Sequence, residues 1–181
     1  HIVKQYQFSR FSPVAKGSFV IAEERRKVIR DTTVRFLNSL KPKLLFAEDA
    51  LRVEATLDLD KSLCQGGVYF AIIESDPNNL KLLYYLLGLL NSKQLSALYE
   101  TLFSGMHMGG GYLRFRTSFL GHLPIRTINF DDPADVARHN KMVALVERML
   151  ELNRKLTTVS IPDDKKLCKR QIAAPDQQID R

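Results

Sequence analysis

The spacing of apolar residues changes several times along this chain, and each change marks an element. Leu44-Leu45-Phe46 is a compact apolar strand entered through Lys41-Pro42-Lys43. Leu51, Val53, Ala55, Leu57 and Leu59 then recur at every second position with Arg52, Glu54, Thr56 and Asp58 between them, which is the period of a half-exposed strand. Gly66-Gly67 marks a turn, and Val68-Tyr69-Phe70-Ala71-Ile72-Ile73 reads as a buried strand. These segments predict a small mixed or antiparallel sheet. From Leu80 to Leu90 apolar residues cover every side, so a helix opened by Asp76-Pro77 should be buried around most of its circumference. Asn91 and Gln94 have the spacing of a reciprocal cap, which predicts a break and a second helix packing Leu95, Leu98 and Leu102, with Tyr99 and Phe103, on the sheet.

Beyond that helix, Ser104 to Gly111 holds four glycines in eight residues, a loop whose backbone can approach a ligand closely or move. Tyr112-Leu113-Arg114-Phe115-Arg116 alternates strictly, with Tyr112, Arg114 and Arg116 on one face and Leu113 and Phe115 on the other. Pro124 ends regular structure. Asp132-Pro133, with Asp135 in the first turn, opens a long helix to about Thr157. Its Met142, Val146, Met149 and Leu156 form a narrow seam, widened by Leu145 and Leu152, able to dock a helix of this domain or of a partner chain. Past Val159 the pattern dissolves, and residues 159–181 are expected to be a mobile tail.

The first 40 residues are less periodic. Residues 1–17 suggest an irregular or edge-strand segment, and Ile21, Val28, Ile29, Thr32 and Phe36 fit a helical stripe that Thr32, Thr33 and Val34 weaken, so strand and helix compete there. The organisation expected is an N-terminal segment of uncertain role (1–40), an α+β core (41–130) of a small sheet packed with two consecutive helices, a long helix (131–158) and the tail.

Charge alters this picture more than composition does. Lys and Arg total 27 against 20 Asp and Glu, a net charge of +7, which favours polyanionic partners. Arg25 and Arg26 lie on either a solvated helix face or a phosphate-contacting one. Tyr112, Arg114 and Arg116 form either a solvated sheet face or a nucleic-acid surface, where arginine can fork onto phosphate or guanine and tyrosine can stack. The glycine loop lacks the lysine and spacing of a P-loop, and His107 between two methionines makes no metal set. His122 suits a capping or core role better than a catalytic one. No nucleophile with a base, metal cluster or cofactor turn stands out. Cys64 and Cys168, far apart and outside any CxxC, predict reduced thiols in the cytoplasm. Leu82 to Leu90 is too short to span a bilayer, and the N-terminus shows no secretion signal, so no membrane association is expected.

Taken in order, Lys41-Pro-Lys-Leu-Leu-Phe46, Thr56-Leu-Asp-Leu-Asp60, Gly67 to Ile73, Leu86-Leu-Gly-Leu-Leu-Asn-Ser-Lys93, Tyr112 to Arg116 and Phe119-Leu-Gly-His-Leu-Pro-Ile125 resemble the TaqI-like C-terminal specificity domain of adenine-specific DNA methyltransferases and single-chain type IIG restriction-modification enzymes. The resemblance covers about residues 41–181, including the helix after Ile125 and the tail; residues 1–40 depart from it. It implies the target-recognition part of a larger enzyme that binds a specific double-stranded DNA sequence, with S-adenosylmethionine held by an upstream methyltransferase domain on the same chain and cleavage activity in some members. Asp76-Pro77-Asn78 and Asp132-Pro133-Ala134 lack the second proline and aromatic of the family's catalytic motif, so no cofactor or catalysis is expected in this fragment. The expected DNA contacts are Arg25, Arg26, Lys41, Lys43, Tyr112, Arg114 and Arg116. A type I restriction specificity subunit fragment is a close variant; a protein-interaction module working through Met142, Val146, Met149 and Leu156 is the alternative of another class.

Overall fold

The computed structural model describes residues 2–3, 10–12, 40–64, 67–76 and 78–180. Its strands are β1 (Ile2–Val3), β2 (Lys43–Ala47), β3 (Asp49–Ala50), β4 (Ala55–Asp58), β5 (Leu63–Cys64), β6 (Val68–Ala71) and β7 (Leu113–Arg114). Its helices are α1 (Leu80–Asn91), α2 (Lys93–Leu102), α3 (Thr117–Leu120), α4 (Pro133–Thr158) and α5 (Pro162–Ile179). The architecture is the α+β class expected from the sequence. Among the described residues no helix is long and apolar enough to cross a membrane.

β2 is the centre of a three-stranded antiparallel sheet ordered β4-β2-β6, and all five of its residues are buried. Its alternation divides the core: Leu45 and Ala47 join Val53, Leu95, Tyr99, Leu113 and Phe115 on one face, while Leu44 and Phe46 join Phe11, Leu83, Leu87, Val146 and Met149 on the other. Helices therefore cover both faces, and this corrects two strand readings. The Leu51 to Leu59 alternation holds at Val53 and Ala55, but Leu51 and Leu59 are exposed whereas Thr56 and Asp58 are buried, because Asp58 faces the buried Lys43 across the sheet. The Val68 to Ile73 run is an edge strand with Tyr69 and Phe70 half-buried and Ala71 exposed, since β2 has taken the central place.

The helix signals also shift. α1 starts at Leu80 rather than at Asp76-Pro77, because the Asn79 side chain accepts from the Leu82 N–H (3.0 Å). Pro77 lies outside the described residues. Ser92, not Asn91, caps α2 by accepting from the Leu95 N–H (3.2 Å). Asn91 is fully buried and turns back to β4, its Oδ1 accepting from Ala55 N–H (2.9 Å) and its Nδ2 donating to Ala55 C=O (3.0 Å). α2 buries Leu95, Ser96 and Tyr99, with Leu98 half-buried, and leaves Leu102 in solvent.

α4 begins as the sequence indicates, with Asp132 Oδ1 accepting from Ala134 N–H (2.9 Å). Its seam is not left for a partner chain. Val146 and Met149 are buried against α1 and α5 of this same molecule, while Met142 is half-buried there and Leu156 is half-exposed. Gly88 of α1 permits the approach, since a Cβ there would lie 2.5 Å from Met142 Sδ and 2.9 Å from Val146 Cγ2. The expected mobile tail is instead α5. Cys168, Ile172, Pro175 and Ile179 recur at spacings of four, three and four and give this polar segment one apolar stripe to lay on α4. Its end is fastened by charge: Asp180 accepts from the Lys93 N–H (2.8 Å) and pairs with Lys93 Nζ (2.9 Å), while Asp176 pairs with the largely buried Arg10 (3.0 Å).

Candidate nucleic-acid interface

β3 and β7 form a separate two-stranded antiparallel ribbon, with Asp49 opposite Arg114 and Ala50 opposite Leu113. The alternation seen in the sequence is realised here. Leu113 and Phe115 are buried to 2% and 1% exposure, and Tyr112, Arg114 and Arg116 share the opposite, accessible side. The Phe115 N–H donates to Glu48 C=O (2.6 Å) and the Glu48 N–H to Gly67 C=O (2.8 Å), tying the ribbon to the main sheet.

Tyr99 of α2 supports this ribbon from beneath. Its ring packs on Phe115 and Phe103 at centroid separations of 4.7 and 5.0 Å, and its hydroxyl donates to Arg114 C=O (2.7 Å). Burial pushes the Tyr99 hydroxyl's pKa up, partly offset by the Arg116 backbone N–H and charge, so it remains a neutral donor. Arg114 is thus anchored through its backbone by one buried phenol.

The Arg114 guanidinium forks onto Asp49, Nε to Oδ1 at 2.8 Å and Nη2 to Oδ2 at 3.2 Å. Hydrogen bonding to Asp49, followed by its charge, raises the Arg114 pKa further. Arg116 forms no ion pair among the described residues. Next to it, burial and then a hydrogen bond with Glu48 raise the Tyr69 pKa, with Arg116 opposing.

The glycine-rich segment folds into a closed turn beside this face. His107 bridges Leu113, Met108 N–H donates to Tyr112 C=O (2.7 Å), and Gly110 and Gly111 take left-handed φ values of 76° and 80° that glycine adopts without penalty. Leu51, Met108 and Tyr112 are exposed around it. No parallel strand feeds this turn and no helix N-terminus follows from it, so it does not fit a nucleotide-type cofactor. His107 lies 3.7 Å from Glu100, and the described residues hold no cluster able to bind a metal. His122 is exposed and meets Ser118 C=O through Nδ1 at 2.6 Å, which fits the capping rather than the core alternative read from the sequence.

Of the seven residues expected at DNA, the structure brings together Tyr112, Arg114 and Arg116. Lys43 is corrected: it is fully buried, its ammonium on Asp58, and it is not on an accessible surface. Lys41, half-exposed, leads into the same end of β2, about 13 Å along the strand from the end that leads to Asp49. Arg25 and Arg26 lie outside the described residues. Tyr99 packs on the sheet as expected, but its bond to Arg114 and the roles of Asp49 and Glu48 are not given by the sequence, because they depend on cross-strand register and helix packing that no local pattern carries.

The family model for the TaqI-like C-terminal specificity domain matches residues 8–125. This match takes in most of the first 40 residues, which corrects the expectation that they depart from the family, and it ends at the Leu-Pro-Ile exit. No curated protein matches the chain. With about two thirds of its residues inside that model and the same motifs building the sheet, α1, α2 and the ribbon, the chain belongs to the family of TaqI-like C-terminal specificity domains.

Proposed function

We propose that this chain binds duplex DNA and reads a short sequence as the target-recognition part of a larger adenine-specific methyltransferase or restriction-modification enzyme. The observation that carries this reading is the accessible side of the β3–β7 ribbon, where Tyr112, Arg114 and Arg116 project together over the Tyr99 anchor. A two-stranded ribbon is narrow enough for the major groove, where the base pairs are distinguishable, and the net charge of +7 supplies long-range attraction to phosphate. Tyr112, half-exposed beside Leu51, can pack on a base or sugar.

In this reading S-adenosylmethionine and the chemistry belong to a separate domain, and this chain contributes position and sequence choice. The helix-docking alternative loses its main residues, because Val146 and Met149 are spent inside the molecule. The test is fluorescence anisotropy with a labelled duplex at increasing salt. Affinity should fall steeply with salt, and R116A should weaken all duplexes about equally and flatten the slope by about one unit. Folded protein with no binding, or with binding insensitive to salt, would overturn the reading.

A further inference from the structure

We infer that Asp49 and Arg114 form a buttressed guanine reader: Arg114 presents the outer edge of its guanidinium to the major-groove face of a guanine, and Asp49 is the positioning residue that aims it. This rests on the DNA-recognition reading above. An arginine has five N–H donors in a planar fork. The two contacts to Asp49 use Nε and Nη2, which is the side edge of that plane. The end edge, made by Nη1 and the second Nη2 hydrogen, makes no hydrogen bond among the described residues, and the side chain is 35% exposed. Such an edge has the donor pair that guanine N7 and O6 accept.

The pairing also tells base from phosphate. Phosphate is attracted by net charge, and Asp49 cancels that of Arg114 at hydrogen-bonding distance. A base edge is read by aligned donors, and these are held in place: Asp49 fixes the plane from the opposite strand while the Tyr99 hydroxyl fixes the Arg114 carbonyl. Arg116, two residues on and without an ion pair among the described residues, retains its charge for the backbone.

The experiment selects binders from a duplex pool with a randomised core, using wild type, R114A, R114K, D49A, D49N and R116A, and then measures affinity for the selected site with single guanines replaced by 7-deazaguanine. Wild type should enrich a guanine at one position and lose on the order of tenfold in affinity when N7 is removed there. R114A, R114K, D49A and D49N should lose the preference at that position while still binding duplexes generally, and R116A should keep it. Thermal unfolding of each variant identifies any that fails to fold, and the two conservative variants, R114K and D49N, keep the test open in that case. Binding without sequence preference, retention of every guanine preference by R114A and R114K, or uniform weakening of all duplexes by the Asp49 variants would overturn the inference and leave the proposed function standing. Loss of salt-dependent binding by wild type itself would instead overturn the reading on which it rests.

Discussion

Two ion pairs sit near opposite ends of β2, both between residues directly opposed across antiparallel strands, yet they have different consequences. Lys43 and Asp58 are fully buried, and Asp58 also accepts from Asp60 N–H (3.0 Å), Ser62 N–H (2.9 Å) and Ser62 Oγ (3.1 Å), so its lone pairs are satisfied without water. Asp49 and Arg114 are about one third exposed, and one edge of the fork makes no hydrogen bond among the described residues. The first pair belongs to folding, where an unpaired charge is costly; the second is screened by solvent and is available to a ligand. Two carboxylate–cation pairs, each directly opposed across antiparallel strands, thus become a brace in one case and an accessible edge in the other according to their burial.

The strongest way to break this contrast is to remove one partner of the buried pair. K43A or D58A should lose about 3–5 kcal/mol in urea unfolding, because each strands a charge in the core, whereas the double change K43M/D58L should recover much of it. Recovery of nothing would mean that Asp58 matters through its turn with Asp60 and Ser62. Next comes G88A, for which a Cβ meets the stiff Val146 branch as well as Met142; overpacking of α1 on α4 should cost about 1–3 kcal/mol by the same measurement, with little change in intrinsic DNA affinity of the folded fraction. N91A should cost about 1–3 kcal/mol, since it leaves the buried Ala55 N–H without its acceptor. At the exposed pair, D49N should leave the unfolding midpoint unchanged within error, and a large shift would move that pair to the structural side of the comparison.

Smaller than the effects at the buried residues, and confined to acid conditions, is that of Asp180. Burial raises its pKa, but the hydrogen bonds and charge of Lys93 outweigh this and leave it below the ordinary carboxylate value. Its contribution should therefore be complete above about pH 4 and be lost as pH falls through the lowered folded value. Against D180N, wild type should lose under about 1 kcal/mol across that window in acid unfolding curves, because Lys93 is largely exposed.

Local periodicity made the accessible side of the β3–β7 ribbon partly legible. Leu113 and Phe115 could only face inward if the segment was a strand, and that placed Tyr112, Arg114 and Arg116 outward together. The α1 circumference and the Asp132-Pro133 start were equally plain, since neighbouring residues carry those signals. Lys43 and Asp58 looked like surface charges because each lies in a polar slot, and only their pairing in register buries both. Asp49 was obscured in the same way, 65 residues from Arg114 in sequence. In α5 the apolar stripe is thin and includes Pro175, a residue that locally argues against a helix, so its packing on α4 becomes evident only in three dimensions.

The polar side chains of α1 and α2 also govern how this molecule meets copies of itself. β4 lies at the rim of its sheet, and a rim strand with open N–H and C=O groups invites another chain to add on. Asn91 fills both groups of Ala55 as a neighbouring strand would, Ser96 Oγ takes the Val53 N–H at 3.2 Å, and Phe11 N–H adds a bond to Ala55 C=O at 3.2 Å. A buried amide and a hydroxyl thus take the place of a neighbouring strand at Val53 and Ala55, and this part of the β4 edge is closed to another chain without a proline.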